Sequence, residues 1–308
     1  MGAIHTLIVQ HGKDRARDLV PASDKPLINI ASTVLTDEDG EISTTYSGFC
    51  LLTALPHKRL EDTQTWERSG HRVSIRVEPG FLPVRGDDKL YGIPYGARAR
   101  LLLVYMQSIA IRTSSRVVEM GDTMNAWLSR MDIKPGGETY RAIHDQTKRI
   151  AACRLTFFWE GDDRREGFRK TSIVDGGFSM TDIGKAGSQR MLWQPTIELS
   201  EAFFKALNDH PVPLSEAAIR ALKEKSMSLD IYIWLAYRLH SLNKPQRLTW
   251  TALHEQFGGG YKLIRQFKVY FLQALQAALA AYPDARIELE DEGLVLQPSR
   301  PPVARLTA

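Results

Sequence analysis

The sequence predicts an α+β protein whose two halves share one order of helices and strands. Segments with apolar residues every three or four positions, typical of helices, alternate with short runs of β-branched residues, typical of strands. A length of 308 residues fits about two domains, and 43% hydrophobic with 25% charged residues is the balance of a folded chain. The stiff break Pro211-Val-Pro213 is the predicted boundary between the halves.

Residues 45–84 predict an antiparallel pair of strands at the start of the first half. Residues 46–55 are rich in β-forming side chains, and apolar residues alternate with polar ones over 73–77. Residues 1–44 contain polar and charged runs with little periodicity. We therefore expect 1–44 to be a flexible segment.

Residues 97–174 of the first half predict three helices and a hairpin, and a strand at 197–199 and a helix at 201–208 follow. Asp122 is the predicted N-cap of the second helix, and Pro135-Gly-Gly137 separates the second helix from the third. The predicted elements are helix 97–112, strand 116–120, helix 124–131, helix 138–153, and the paired strands 154–160 and 168–174. This is the order of a winged helix, in which the second helix of a helix-turn-helix enters a DNA groove and a β-hairpin, the wing, follows.

The second half repeats this order, with Gly258-Gly-Gly260 as the turn before its last helix. The predicted elements are helix 214–225, helix 229–242, a helix from Thr249 or Thr251 to Phe257, helix 261–282, and a hairpin of 286–290 and 294–297. The sequence thus predicts two tandem winged-helix domains, at 45–210 and 211–300, with an extra N-terminal β-strand pair. A tail at 301–308 follows.

The distribution of charge indicates a nucleic-acid partner more clearly than the net charge of +4 does. Helix 261–282 carries three basic residues and no acid. Its predicted core stripe is Leu263, Ile264, Phe267, Tyr270, Phe271, Ala274 and Leu275. The other side carries Lys262, Arg265 and Gln266, with Lys268 nearby. Because cations at a helix start oppose the helix dipole, a phosphate partner is the simplest reason for them.

The third helix of the first half is the second candidate for DNA contact. Ile143, Thr147 and Ile150 share one face, which predicts that they point into the core. Arg141, Lys148 and Arg149 lie on the opposite side. We predict that Arg141 contacts a base and that Lys148 and Arg149 contact phosphates. An ordinary solvated, charged helix face explains this pattern equally well, so both interpretations stay open.

The two predicted wings differ in charge. Near the tip of the first wing lie four basic residues that could contact phosphate or enter the minor groove: Arg164, Arg165, Arg169 and Lys170. The second wing carries four acids: Glu288, Glu290, Asp291 and Glu292. Because like charge disfavours contact with DNA, we predict that the second wing faces solvent or a protein partner.

No motif for catalysis or cofactor binding was found, so the sequence predicts a protein that is not an enzyme and needs no cofactor or metal. A P-loop pattern and a His-x-His pair are both missing; the eight histidines are scattered, and two cysteines alone cannot form a zinc site. Cys50 and Cys153 lie in apolar runs and are predicted to be buried, reduced thiols. The sequence has no recognisable targeting segment or membrane span, which predicts a cytoplasmic location.

Several segments resemble the plasmid replication initiators of the RepA (RepA C-terminal) family. The most specific is Tyr91-Gly-Ile-Pro-Tyr-Gly96 within 91–105; segments 46–57, 199–204 and 210–214 also match, and the resemblance extends over about 45–300. It implies two winged-helix domains that bind double-stranded DNA at repeated sites, called iterons, in a plasmid origin. It also implies origin opening, recruitment of the host initiator and the replicative helicase, and a monomer–dimer equilibrium.

Two other functions stay open from the sequence. A winged-helix transcriptional repressor would use the same surfaces, but would bind a palindromic operator as a dimer. A DNA-nicking enzyme with an unrecognised site is the less favoured alternative.

Overall fold

The computed structural model describes residues 2–37, 40–46, 55–69, 73–82, 88–134, 136–160, 166–177 and 196–303, and confirms the α+β class. The chain divides into two compact units. The central unit is residues 44–211, and the terminal unit combines residues 1–43 with residues 212–308. The chain therefore passes between the units twice, within strand β1 (Ile42–Tyr46) and within strand β11 (Pro211–Ser215).

The expectation that residues 1–44 are flexible is wrong, because helices α1 (Ala3–Asp18) and α2 (Lys25–Leu35) form there. Ile28 of α2 is fully buried, and α2 packs on α1 and on two helices of the C-terminal part of the terminal unit. Helix α1 changes direction at Gly12, where φ is 74°. This kink interrupts the apolar repeat, which is why periodicity alone did not reveal α1.

The rest of the terminal unit contains helices and a three-stranded sheet. The elements are α7 (Glu216–Leu222), α8 (Ser226–Arg238), a 3₁₀ turn (Leu239–Ser241), β12 (Gln246–Thr249), α9 (Trp250–Phe257), α10 (Ile264–Ala280), β13 (Ile287–Glu290) and β14 (Gly293–Leu296). The sheet is antiparallel, in the strand order β12-β14-β13. The hydroxyls of Ser215 and Thr249 accept backbone N–H bonds at the starts of α7 and α9, so Thr249 and not Thr251 is the cap of α9.

The central unit is built around one long buried helix. The elements are β2 (Trp66–Ser69), β3 (Val73–Glu78), β4 (Gly80–Phe81), β5 (Leu90–Tyr91), α3 (Gly96–Thr113), β6 (Val117–Glu119), α4 (Asp122–Arg130), α5 (Gly137–Ala152), β7 (Arg154–Glu160), β8 (Glu166–Ser172), β9 (Val174–Gly177), β10 (Thr196–Leu199) and α6 (Glu201–Asp209). Residues 101–106 of α3 are all buried, and α3 packs against α5 and α6. The strands β2-β3-β7-β8 and β6-β10-β9 form two antiparallel sheets.

The predicted partner of strand 73–77 is wrong, although the strand itself is confirmed. Strand β3 pairs with β2 on one side and with β7 on the other, with Ile75 opposite Arg68 and Phe157. Residues 46–55 were predicted to pair with it; of these, 47–54 lie outside the described residues. The alternation of β3 fixes which face is buried but carries no information about which strand lies beside it.

Two helix starts also differ from the predictions. Helix α10 begins at Ile264 rather than at residue 261, because residues 258–263 form the turn. Asp122 is the first residue of α4 and not its N-cap; Gly121 occupies the cap position, and the carboxylate of Glu119 accepts the N–H of Thr123 in the first turn at 3.3 Å. Within the described ranges, no helix has both the length and the apolar character that crossing a membrane requires.

Candidate nucleic-acid interface

An aromatic cluster anchors helix α10 in the terminal unit. Phe267 and Phe271 are fully buried, and their ring centroids are 5.1 Å apart. Phe271 also lies 5.4 Å from Phe257 and 6.2 Å from Trp250, the last and first residues of α9. Aromatic rings at these separations pack closely and bury large areas. The cluster therefore holds α10 in a defined position against α9.

The connection between α9 and α10 depends on Gly258. Its N–H donates to the carbonyl of His254 at 2.7 Å, and a Cβ at position 258 would lie 2.6 Å from that same oxygen. His254 Nε2 in turn donates to the carbonyl of Tyr261, 2.8 Å away. Because no side chain fits at position 258, glycine is required for this close turn.

The start of α10 presents cations outward. Lys262, Arg265 and Gln266 are exposed, and the ammonium group of Lys268 lies 4.7 Å from the ring centroid of Trp250. No acidic residue occurs between residues 261 and 283. We call Lys262, Arg265, Gln266 and Lys268 the α10 surface; the predicted contact residues of the second half thus lie together at one helix end.

The predicted core stripe of α10 is wrong at three positions. Leu263, Ile264 and Tyr270 are 44%, 38% and 54% exposed, whereas Phe267, Phe271 and Leu275 are buried as predicted. Leu263 and Ile264 are the N-cap and the first residue of α10, so they lie at the end of the buried stripe. Tyr270 is turned about 100° away from Phe271, and it stacks on Tyr261 with ring centroids 5.4 Å apart.

Sequence analysis missed further members of the outward face of α10. Val269, Gln273 and Gln276 are all exposed. Arg265, Val269 and Gln273 are four residues apart, so they form one row along the helix. This spacing was available in the sequence, but the apolar Val269 concealed the polar row.

In the central unit, α5 presents Arg141 and Lys148 on the predicted side. Arg141 is exposed, and its Nε donates to the carbonyl of Gly137 at 3.2 Å. Lys148 is half-buried, with its ammonium group 3.4 Å from the hydroxyl of Tyr91. The ammonium groups of Lys148 and Lys89 lie 5.6 and 5.2 Å from the centroid of that ring. Tyr91 therefore holds two lysines close together, and Lys89 is an addition that sequence analysis did not single out.

The prediction that Arg149 contacts phosphate is wrong. Its side chain is only 3% exposed and makes ion pairs of 2.9 Å with Asp62 and 2.8 Å with Asp145. Its guanidinium also lies 5.4 Å from the ring centroid of Tyr95. Burial alone would raise the pKa of Asp62, but the guanidinium of Arg149 holds that pKa below its usual value. Arg149 therefore joins α5 to the segment before β2 and stabilises the fold.

Arg149→Met is expected to lower the free energy of unfolding by about 2–3 kcal/mol, because it removes the buried cation that Asp62 and Asp145 share and leaves Asp62 with the exposed Arg59, 3.1 Å away. The ion pair stabilises the fold fully above the ordinary carboxyl pKa of 3.8, and this contribution is lost as the pH falls through the lowered pKa of Asp62. Urea denaturation at neutral and acidic pH measures both effects. Equal stability of variant and wild type at neutral pH contradicts the structural role.

Only part of the two predicted wings can be compared with the structure. Lys170 is exposed on β8, whereas Arg164 and Arg165 lie outside the described residues, as does the side chain of Arg169. In the second wing, Glu288, Asp291 and Glu292 are exposed. Glu290 pairs with Arg247 at 3.1 Å. The outward, acidic second wing matches its expected orientation, and its partner stays a prediction.

Cys153 is buried, as predicted, and burial raises the pKa of its thiol to about 12. Cys50 lies outside the described residues. Among the residues that the structure describes, no three His, Cys, Asp or Glu side chains come together as a metal site.

Fold and surface together define an α+β protein of two units that presents a basic helix end suited to a polyanion. The family model of plasmid-encoded RepA proteins matches residues 93–253, which is more than half of the chain. The chain belongs to this RepA family, as the resemblance of residues 91–105 and neighbouring segments predicted.

Two solved structures are similar in chain path, and both contain domains 2 and 3 of RctB. The crystal structure of selenomethionine derivatives shares 13% identity at a TM-score of 0.48, and covers 84% of this chain and 99% of that chain. The second shares 13% identity at a TM-score of 0.44, and covers 80% and 94%. No functional conclusion follows from similarity at this level. No curated protein sequence matches the chain significantly.

Proposed function

We propose that this protein is a plasmid replication initiator that binds iterons, the repeated double-stranded DNA sites of a plasmid origin, without enzymatic activity. The observation that carries the proposal is the α10 surface, where Lys262, Arg265 and Gln266 are exposed at the start of a helix fixed by buried aromatic rings. A helix with such a basic start fits the major groove and its phosphates. Membership in the RepA family supports the same function.

The order of elements supports a winged-helix assignment for the terminal unit. Helices α8, α9 and α10 are followed by the β13–β14 hairpin, and β12, between α8 and α9, pairs with β14. On this basis we assign α10 as the recognition helix and β13–β14 as the wing.

The central unit shares this order of elements but differs in how its strands pair. Its order of α3, β6, α4, α5, β7 and β8 agrees with a winged helix, but β6 pairs with β10 and not with the β7–β8 hairpin. We assign α5 as its recognition helix because Arg141 lies exposed near the helix start.

The proposed contacts divide into base readers and phosphate holders. Arg265 and Gln266 of α10 and Arg141 of α5 face base edges, because residues near the start of a recognition helix do so. Phosphates are contacted by three lysines: Lys148, Lys262 and Lys268. They are also contacted by four basic residues of the first wing: Arg164, Arg165, Arg169 and Lys170. Origin opening, recruitment of the host initiator and replicative helicase, and a monomer–dimer equilibrium are further parts of this proposal, and they rest on the family.

DNase protection of the DNA flanking the gene, at two salt concentrations, tests the proposed function. An initiator protects regularly spaced direct repeats, with log affinity falling by about 0.9 per phosphate contact for each unit of log salt. A single protected palindrome at the gene's own promoter would instead identify a repressor. No protection at low salt contradicts DNA binding itself.

Arg141→Ala is expected to weaken binding to the protected DNA about tenfold while leaving the free energy of unfolding within about 0.5 kcal/mol of wild type. The reason is that Arg141 is exposed and bonds only its own helix among the contacts described above. Titration of a labelled duplex measures the affinity. Arg112→Ala, at an exposed arginine of α3 in the same unit and outside the proposed contacts, is the matched control; equal losses in both variants contradict a specific role for Arg141.

A further inference from the structure

The outward row of α10 contains an apolar residue between two polar ones. Arg265, Val269 and Gln273 follow each other at intervals of four residues, and all three are exposed. Val269 is 55% exposed, whereas Phe267 and Phe271, two residues to either side, are fully buried. Val269 therefore points away from the core, in the middle of the face that carries Arg265.

Valine at this place is not explained by the stability of the helix. A β-branched side chain loses rotamer freedom in a helix, and alanine or a long polar residue would stabilise an exposed position better. The exposed Tyr270 next to it stacks on Tyr261, so the aromatic residue has a partner within the chain. A ligand that offers an apolar group to this face is a physical reason for Val269.

The chemistry of the row matches the edges of base pairs in the major groove. There the thymine methyl is the apolar group that a protein can contact, arginine pairs with guanine, and glutamine pairs with adenine. Eight helical residues rise about 12 Å, which spans roughly four base steps of 3.4 Å. One row can therefore contact three bases within a single short site.

We propose that Val269 contacts the methyl group of a thymine in the binding site, between bases contacted by Arg265 and Gln273. This inference rests on the proposed function, because it requires α10 to lie in the major groove. A protein partner is the less favoured occupant, since the face lacks acids and follows Lys262 and Arg265. Basic and amide side chains around one aliphatic group fit a base edge better than an apolar protein surface.

The test uses the full-length chain and a duplex of about three helical turns, selected from a random-sequence library at about 150 mM salt. Each thymine of the selected site is replaced in turn by deoxyuridine, which removes the methyl group alone. The wild-type protein is expected to bind about fourfold more weakly when one particular thymine is replaced, because the loss of the methyl contact exposes one apolar carbon. Val269→Ala is expected to bind the thymine and the uridine duplexes equally.

Val9→Ala is the matched control, because Val9 is also an exposed valine on a helix of the terminal unit, 65% exposed on α1. This variant is expected to keep the fourfold preference at the same thymine. The inference is overturned if no thymine methyl affects wild-type affinity, if Val269→Ala keeps the preference, or if Val269→Ala alters only self-association. Those results leave DNA binding intact, whereas failure to select any duplex overturns the proposed function as well.

Discussion

Arg265→Glu is expected to weaken binding to duplex DNA about 100-fold, the largest effect of any single change on the α10 surface. The variant removes a contact to a base or phosphate and places a carboxylate against the phosphate backbone. Arg265 is exposed at the second position of α10 and lies in a stretch without acids, so its charge acts directly on the ligand. Fluorescence anisotropy with a labelled duplex, over a series of salt concentrations, measures the affinity and its salt dependence. The slope of log affinity against log salt is expected to become shallower by about one unit or more.

Arg15→Glu makes the same change of charge at an exposed residue of α1 in the same unit. It is expected to reduce affinity only by the small effect of net charge, which salt screens. If the two variants lose affinity equally, the effect is one of total charge and the α10 surface is not the binding site. If Arg265→Glu binds DNA as wild type does, α10 is not the recognition helix.

Phe271→Ala is expected to lower the free energy of unfolding by about 4 kcal/mol. Phe271 is fully buried, and its ring meets those of Phe257, Phe267 and Trp250 at 5.1–6.2 Å. Truncation to alanine removes all three contacts and leaves a cavity beneath α10. Urea denaturation followed by tryptophan fluorescence measures the loss, because Trp250 is one of the residues that line this cavity.

Tyr270→Ala, at the neighbouring position, is the control for the loss of an aromatic side chain from α10. Tyr270 is 54% exposed and stacks only on Tyr261 among the ring contacts described, so its removal is expected to cost no more than about 1 kcal/mol. Similar losses in the two variants would mean that Phe271 does not anchor the helix. A normal unfolding curve for Phe271→Ala leads to the same conclusion.

Local patterns predicted the helices well where the apolar repeat was unbroken. Helix α3, expected over 97–112, spans Gly96–Thr113, and α5, expected over 138–153, spans Gly137–Ala152. The apolar positions of each helix correspond to its buried residues, and these positions can be identified one by one in the sequence. Helix α1 was missed because its direction changes at Gly12, so that the residues before and after the kink do not share one repeat.

Contacts between residues that are far apart in the chain could not be predicted from the sequence. Arg149 was placed on the outward side of α5 by its helical phase, yet Asp62, 87 residues earlier, draws it into a buried ion pair. The same limit explains the incorrect partner of β3. For the candidate site, the exposure of Arg265 and Gln266 agrees with their predicted side of the helix, because it depends on helical phase alone; Lys262 is also exposed, but it lies in the turn before the helix. Val269 was missed because an apolar residue in a helix is expected to be buried, and its exposure is known only from the structure.

The discontinuous terminal unit has a consequence for the order in which the protein matures on the ribosome. His5 of α1 hydrogen-bonds to the carbonyl of Ala280 at 2.9 Å, across 275 residues of chain. Translation at about 5–20 residues per second takes roughly 10–30 s for the 168 residues of 44–211. The partners of α1 and α2 are therefore synthesised only after that interval. The central unit can fold during that interval, but the unit that carries α10 cannot. A ribosome that stalls before α10 is translated therefore yields a chain in which α1 and α2 lack their partners from residues 212–308 and the α10 surface is not assembled.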